Sequence, residues 1–145
     1  MDKYDGLLLK NQLCFPVYSV ANKILRKYKP FLDKLDLTYT QYICMMVMWE
    51  HESMNVKTLG EYLYLDSGTL TPLLKKLEDK GFIERKRNDI DERNLIITIT
   101  KKGMELRDLA ISVPQNMRSC IQLSREESLL LYKVLYKILN NLNNK

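Results

Sequence analysis

The fold of this chain is decided by residues 62–103, YLYLDSGTLTPLLKKLEDKGFIERKRNDIDERNLIITITKKG. The first half of this stretch predicts an amphipathic helix. Asp66 or Ser67 can cap its first turn, and Gly81 supplies the left-handed residue with which many helices end. Pro72 must then lie near the first turn, where its missing N–H does least harm. The inward face consists of leucines at helical spacing, namely Leu70, Leu73, Leu74 and Leu77.

After Gly81 the residues alternate instead, which predicts a β-hairpin with its turn at NDIDER. Its two strands would carry Phe82, Ile83, Arg85 and Arg87, then Leu95, Ile97 and Ile99. A shorter helix, NVKTLGEYL (55–63), comes before the amphipathic helix and can be capped by Asn55. Two helices followed by a basic hairpin form a winged helix-turn-helix, which places its second helix in the major groove of DNA. The outward face of that helix offers Ser67, Thr69, Thr71, Lys75 and Lys76.

Further helices are predicted on both sides of this module. Apolar residues at helical spacing over 7–29 predict a first helix that ends before Pro30. Residues 39–52 are apolar on more than one face, which indicates a buried central helix. Pro114 interrupts or breaks the helix that follows the hairpin. Helix caps are predicted at Thr38, Thr100 and Ser124, the last in a capping box with Glu127. The fold class is therefore mainly α with a small β-hairpin wing.

The terminal helices are too long and too apolar to pack only against a small winged helix. They could form a larger monomer core, or the interface of a homodimer. A dimer would place two recognition helices about 34 Å apart, one turn of DNA, and so read a palindromic duplex. In that interpretation a single domain contains dimerisation helices at about 1–37 and 104–145, and a DNA-binding part at about 38–103.

Composition excludes more than it establishes. The net charge of +5, from 23 basic and 18 acidic residues, suits an anionic partner without demanding one. No apolar run approaches the roughly 18–20 residues that span a bilayer, and the N-terminus does not resemble a signal peptide. One histidine and no Cys-x-x-Cys pair make a metal site unexpected, and no phosphate loop or paired acids indicate an enzyme or a cofactor. The expected compartment is the cytoplasm, where thiols stay reduced.

The three cysteines differ in their surroundings. Cys44 lies in the apolar run ICMMVMW and is expected in the core. Cys14 lies in NQLCFPVY, with tyrosines nearby in the sequence, and is either packed or reactive; a phenolic hydroxyl that donates to sulfur would favour the reactive thiolate. Cys120 is either an ordinary half-buried cysteine or a resolving thiol. The nearby tyrosines are Tyr18, Tyr28, Tyr39 and Tyr42.

From about residue 9 to 115 the chain resembles the MarR family of bacterial winged-helix regulators, and within it the organic hydroperoxide resistance regulators. The resemblance rests on LKNQLCFPVY, YKPFLDKLDLTYTQY, MWEHE, VKTLGEYLYLDSGTLTPLLKKLE and DERNLIITIT. DERN indicates the broad family, whereas LCF together with LYLDSGTLTPLLK indicates the peroxide-sensing branch. The resemblance implies a DNA-binding repressor, not an enzyme, that responds to organic hydroperoxides.

The resemblance also implies roles for individual residues. Cys14 would be the redox sensor, oxidised to a sulfenic acid that proceeds to a disulfide or a cyclic sulfenamide. Tyr28 and Tyr39 would reach across the dimer to its sulfur, with Tyr18 as a further pocket aromatic. Reduced protein would bind its operator and oxidised protein would release it. Cys120 lies near the position of the resolving thiol of two-cysteine members, so one-cysteine and two-cysteine chemistry both remain open, with a slight preference for the second.

On the DNA side the resemblance places Ser67, Thr69, Thr71 and Lys75 on the recognition helix. Arg93 in the hairpin turn would reach the minor groove, oriented by Asp91. Arg85 and Arg87 would contact phosphates or take part in salt bridges of the wing.

One departure and two alternatives follow. Pro16, two residues after Cys14, would kink the first helix if it lay in the middle of that helix. One alternative function is a MarR-type repressor released by a small aromatic ligand, with Cys14 structural and the tyrosines as ligand contacts. The other is an architectural protein that binds DNA without sequence preference. The operator, the regulated genes and the preferred oxidant are not encoded in any motif.

Overall fold

The computed structural model describes residues 1–91 and 94–144. Residues 1–113 form one compact unit and the residues from 114 onward a second. The described helices are α1 (Cys14–Asp33), α2 (Tyr39–His51), α3 (Val56–Leu63), α4 (Ser67–Asp79), α5 (Lys101–Ala110), α6 (Ser112–Ile121) and α7 (Arg125–Asn143); the strands are β1 (Ser53–Asn55), β2 (Ile83–Arg87) and β3 (Leu95–Ile99). The predicted fold class, mainly α with a small β wing, is confirmed.

The winged helix-turn-helix forms as the local signals predict. The Asp66 carboxylate accepts the Thr69 N–H at 2.8 Å and so caps α4. Gly81 follows with a φ of +81°, and β2 then pairs antiparallel with β3, Arg85 opposite Ile97. The sequence did not predict β1, which pairs with the other edge of β3 to give the strand order β1-β3-β2. Three residues are too few to show an alternating pattern, so only pairing with β3 defines this strand.

The core lies between α2, α3, α4 and the sheet. Leu70, Leu73, Leu74 and Leu77 of α4 are all buried, as their spacing predicts. They belong to the same buried cluster as Leu59 of α3, Met45 and Met48 of α2, and Ile83 and Ile97 of the hairpin. The expected position of Pro72 was wrong by one turn, because α4 begins at Ser67 and Pro72 is its sixth residue. The carbonyl of Gly68 therefore loses its usual partner within the helix.

The predicted bounds of the first helix were wrong at both ends. Two 3₁₀ turns, Asp5–Leu7 and Leu9–Asn11, occupy residues expected to be helical, and the Gln12 side chain donates to the carbonyls of Gly6 and Leu8. Helix α1 then begins at Cys14 and continues through Pro30 to Asp33. Proline removes one hydrogen bond, and continuation past it carries Leu32 into the core.

Pro16 does not kink α1, contrary to the expectation for a proline in mid-helix. It is the third residue of the helix, within the first turn. Backbone N–H groups of the first turn have no partner within a helix, so a proline there costs no hydrogen bond. The start of α1 at Cys14 thus explains why proline is tolerated two residues later.

The terminal helices leave most of their apolar residues exposed. Of the 20 residues of α1 only Leu32 is buried, and no described residue of α7 is. The capping box of Ser124 and Glu127 opens α7 as predicted. The helix after the hairpin is interrupted at Ile111, between α5 and α6, and Pro114 lies in the first turn of α6. Among the described residues, no helix is long and apolar enough to cross a membrane.

We expect substitution Gly60→Ala to destabilise the helix-turn-helix by about 1–3 kcal/mol, the range for overpacking. A Cβ atom at this position would lie 2.8 Å from the Leu65 carbonyl oxygen and 3.0 Å from Leu70 Cδ1. Urea unfolding at fixed protein concentration measures the loss. Gly6→Ala is the control, because nothing lies within 4 Å of its Cβ. Equal stability of the two variants would contradict the close approach at Gly60.

Candidate functional site

The outward face of α4 presents the residues that the sequence assigned to DNA reading. Ser67, Thr69, Thr71 and Lys75 are all exposed. The Thr71 hydroxyl donates to the Ser67 carbonyl at 2.8 Å. Its proton is therefore used within the helix, which leaves an oxygen acceptor and a methyl group for an external contact. The opposite face is fixed in the core by its leucines, so this polar face cannot turn inward.

Arg85 connects the hairpin to α4 through Glu78. Its Nε and Nη2 atoms donate to Glu78 Oε1 at 3.2 and 3.0 Å, and its backbone N–H donates to Oε2 at 2.9 Å. Both side chains are largely shielded, 22% and 35% exposed. Of the two roles that the sequence left open for Arg85, the structure shows the salt bridge. The bridge sets the position of strand β2 relative to the recognition helix.

These hydrogen bonds perturb the Glu78 carboxyl. The Arg85 side chain is the main cause that lowers the pKa of Glu78, and the Arg85 backbone N–H adds to it. The carboxylate thus stays ionised into moderately acidic solution, and the link between helix and hairpin persists there.

The remaining predicted wing residues lie around the hairpin turn. Arg87, at the end of β2, is exposed. Asp91 is also exposed, and its carbonyl accepts the backbone N–H of Asn94 at 2.9 Å. Arg93, predicted to enter the minor groove, lies outside the described residues.

Cys14 is exposed at the first position of α1. Tyr18 lies one turn further along the same face, where residues i and i+4 are neighbours, and is 66% exposed. Leu13, Phe15 and Val17 are exposed around them. The thiol thus lies on an apolar helix face that no described residue of the same chain buries.

Tyr28 and Tyr39 lie far from this thiol within one chain. Fourteen residues separate Cys14 from Tyr28 along a continuous helix, about 21 Å at 1.5 Å per residue. The Tyr28 ring packs against Tyr39 with centroids 4.9 Å apart and against Tyr42 at 5.9 Å. Burial raises the pKa of Tyr28 to about 12, and the neighbouring phenols contribute. At neutral pH these phenols are therefore protonated and able to donate a hydrogen bond.

The other two cysteines also have defined environments. Cys44 is fully buried, as predicted, and burial raises the pKa of its thiol to about 12. Cys120 is exposed on α6. No group of three potential metal ligands occurs among the residues that the structure describes.

Two connections to α4 could not be found in the sequence. The Glu78–Arg85 bridge joins residues seven apart, across a helix end and a turn. Lys80, just after α4, contacts Asp36 and Gln41, which are 44 and 39 residues away. Charged residues are common at helix ends, so neither pattern stands out before the chain is folded.

Comparison with known proteins agrees with this architecture. The family model for the transcriptional regulators SarA/Rot matches residues 26–109. An organic hydroperoxide resistance transcriptional regulator of Bacillus subtilis is 44% identical over 144 residues, covering 99% of this chain and 98% of that protein.

Solved structures are similar over almost the whole chain. Reduced AbfR bound to DNA has a TM-score of 0.78 at 34% identity, covering 97% of this chain and 99% of that chain. This regulator comes from Staphylococcus epidermidis, and its disulfide-formed structure matches with a TM-score of 0.66 at 33% identity, covering 94% and 96%. A MarR mutant from E. coli, complexed with operator DNA, has a TM-score of 0.76 at 25% identity, covering 96% and 99%.

Fold, exposed recognition helix and these likenesses together define a winged-helix transcriptional regulator. The matching relatives are DNA-binding regulators and not enzymes. The chain belongs to the MarR family, within the branch of the organic hydroperoxide resistance regulators.

We expect Glu78→Gln to lower stability by about 1 kcal/mol at pH 7, a reduced charged hydrogen-bond value because both partners are partly exposed. Since the pKa of Glu78 is lower in the folded than in the unfolded state, its contribution is present above pH 4.5 and is lost as the pH falls through the lowered pKa. Urea unfolding from pH 7 to pH 3 tests both statements.

Asp79→Asn is the control, because Asp79 is the exposed neighbour of Glu78 on the same helix. It should change stability little at any pH. A difference between Glu78→Gln and the parent chain that persists unchanged at pH 3 would show that the loss has another origin.

Proposed function

We propose that the chain is a DNA-binding repressor that senses organic hydroperoxides by oxidation of Cys14 and then releases its operator. The observation that carries this proposal is the position of Cys14. Its thiol is exposed on an apolar helix face, as access for an organic oxidant requires. Cys44, by contrast, is shielded and held as a thiol.

The chemistry begins with the Cys14 thiolate. Its sulfur attacks the terminal oxygen of a hydroperoxide, ROOH, and the O–O bond breaks. The sulfur becomes a sulfenic acid, and the alkoxide leaves and takes up a proton to give the alcohol. Condensation with a second thiol then forms a disulfide and releases water. Cys120 is one candidate for that thiol, a small cellular thiol is another, and a disulfide-formed structure exists for the relative AbfR.

A second copy of the chain would complete the sensor. Within one chain Tyr28 lies about 21 Å from Cys14 along α1, so neither Tyr28 nor the adjoining Tyr39 can hydrogen-bond its sulfur. The exposed apolar residues of α1 and of α7 support a homodimer, in which they would form the interface. In this proposal residues 1–37 and 104–145 form the dimer, and Tyr28 and Tyr39 of one copy donate to the thiolate of the other.

The dimer would read a palindromic operator through two copies of α4. Ser67, Thr69, Thr71 and Lys75 support this role because all four are exposed, and Ser67, Thr71 and Lys75 lie on one face at four-residue spacing. Arg87, Asp91 and Arg93 would add wing contacts, with Arg93 in the minor groove. Arg85 would act through the Glu78 bridge, which fixes the hairpin, more than through phosphate.

The central experiment measures fluorescence anisotropy of a labelled duplex from upstream of the chain's own gene, at fixed salt. Reduced protein should bind this duplex more tightly than random DNA. Cumene hydroperoxide at near-stoichiometric amounts should release it, and dithiothreitol should restore binding. Retention of DNA by fully oxidised protein would overturn the redox proposal and favour release by an aromatic ligand. Equal affinity for random DNA would instead favour the architectural protein.

We expect Cys14→Ser to fold and bind DNA but to ignore the hydroperoxide, because serine has no oxidisable sulfur. The matched variant Cys120→Ser separates the two chemistries. If Cys120 is the resolving thiol, the oxidised parent chain should contain a Cys14–Cys120 disulfide and the Cys120→Ser variant should lack it. Intact mass spectrometry under non-reducing conditions measures the difference. If the chemistry uses one cysteine, the Cys120→Ser variant should respond as the parent chain does. Release of DNA from the Cys14→Ser protein would remove Cys14 from the sensor role.

We expect Lys75→Ala to weaken binding to specific and random duplex alike, since lysine on this face contacts phosphates. The slope of log K against log salt should fall by about 1 for each copy on DNA. Lys133→Ala on α7 removes the same charge outside the DNA-binding part and should leave the slope unchanged. An unchanged slope for Lys75→Ala would mean that its ammonium does not contact the backbone of the duplex.

A further inference from the structure

The C-terminal end of recognition helix α4 is attached to the corner between α1 and α2 by one side chain. Lys80, the C-cap residue that follows the last residue of α4, donates from Nζ to the Asp36 carbonyl and to Gln41 Oε1, the latter at 3.1 Å. Its ammonium also lies 3.5 Å from Asp36 Oδ1. The side chain is only 27% exposed, so three oxygens of the corner replace most of its water.

Both acceptors are held in place by the corner itself. Asp36 has a φ of +56°, a left-handed conformation that few residues adopt. Gln41 is the one buried polar side chain among the described residues. Its Oε1 also accepts the Thr38 N–H at 3.0 Å, in the capping box that opens α2. The lysine therefore binds a preformed site.

The corner is in turn continuous with the helix that carries Cys14. Asp33 ends α1, and the Leu37 N–H donates back to the Leu32 carbonyl at 3.1 Å. Leu32, Leu35 and Leu37 are all buried. The corner thus forms a continuous connection from α1, through Lys80, to the end of α4.

We infer that Lys80 is a positioning residue that couples the oxidation state of Cys14 to the orientation of the recognition helix. The inference rests on the proposed redox function. Apolar packing of α4 against α2 is not directional, whereas the two hydrogen bonds and the ion pair of Lys80 fix the helix end relative to the corner. In the proposed function, Lys80 itself contacts neither DNA nor the hydroperoxide.

A matched control lies beside it. Lys102 of α5 donates from Nζ to the Lys80 carbonyl at 2.8 Å. It binds the same end of α4, but from the helix after the hairpin. Lys102→Met therefore weakens the helix end without touching the link to α1.

The experiment compares Lys80→Met, Lys80→Arg and Lys102→Met with the parent chain. For each protein the dissociation constant of the upstream duplex is measured reduced and after oxidation by cumene hydroperoxide. Thermal unfolding and circular dichroism monitor folding. Lys80→Met is expected to fold, because Gln41 keeps its bond to the Thr38 N–H. The readout is the ratio of the two constants, since a general loss of stability would weaken both states together.

The parent ratio is expected to be about tenfold or more. Lys80→Met should lower that ratio by about threefold or more, within the range for residues that carry coupling. Lys80→Arg keeps the positive charge and the hydrogen-bond donors, so its ratio should stay close to that of the parent chain. Lys102→Met should have the same ratio as the parent chain. An unchanged ratio in Lys80→Met, or equal losses in Lys80→Met and Lys102→Met, would overturn the inference. A parent chain that keeps DNA when oxidised would instead defeat the proposed function, and the coupling with it.

Discussion

Burial of the leucine face of α4 is the constraint on which the rest of the structure depends. Leu70, Leu74 and Leu77 are almost completely shielded from solvent, and each buried leucine contributes roughly 2 kcal/mol. A helix fixed on one face has only one orientation, so its polar face must point outward. The hairpin, which supplies Ile83 and Ile97 to the same cluster, is thereby placed beside that polar face. Packing in the core thus determines which face of α4 is available to an external partner.

Features that depend on interactions between residues close in the sequence were predicted, whereas those that depend on distant residues were not. Helix caps at Thr38, Ser124 and Asp66, the last as one of two candidates, were predicted correctly, because each capping oxygen accepts from a backbone N–H only three residues away. The hairpin was predicted from its alternation. Strand β1 was not, because its pairing with β3 joins residues more than 40 positions apart. For the same reason nothing in the sequence indicated that Lys80 and Asp36 would meet.

Prolines were the least predictable residues of the fold. The rule that proline ends a helix failed at Pro30, where continuation brings Leu32 into the core. At Pro16 the rule did not apply, because the helix begins only at Cys14. The sequence did not place the start of α1 either, because the two 3₁₀ turns before Cys14 have the same leucine-rich composition as a helix. Of the candidate site, the residue types were predictable, and so was the separation of Cys14 from Tyr28, because the predicted helix over 7–29 contains both. The packing of Tyr28 against Tyr39 and Tyr42 joins different helices and required the folded chain.

The burial of Cys44 determines how many of the cysteine thiols an oxidant can reach. In a chain with several accessible thiols, an oxidant would react with different cysteines and give a mixture of products. Here one of the three cysteine thiols lies in the core, among methionines, with its ionisation strongly disfavoured. Mild oxidants that require a thiolate have no path to it while the chain is folded. Burial in the core therefore protects Cys44 from oxidation, and it restricts thiol oxidation to the two exposed cysteines.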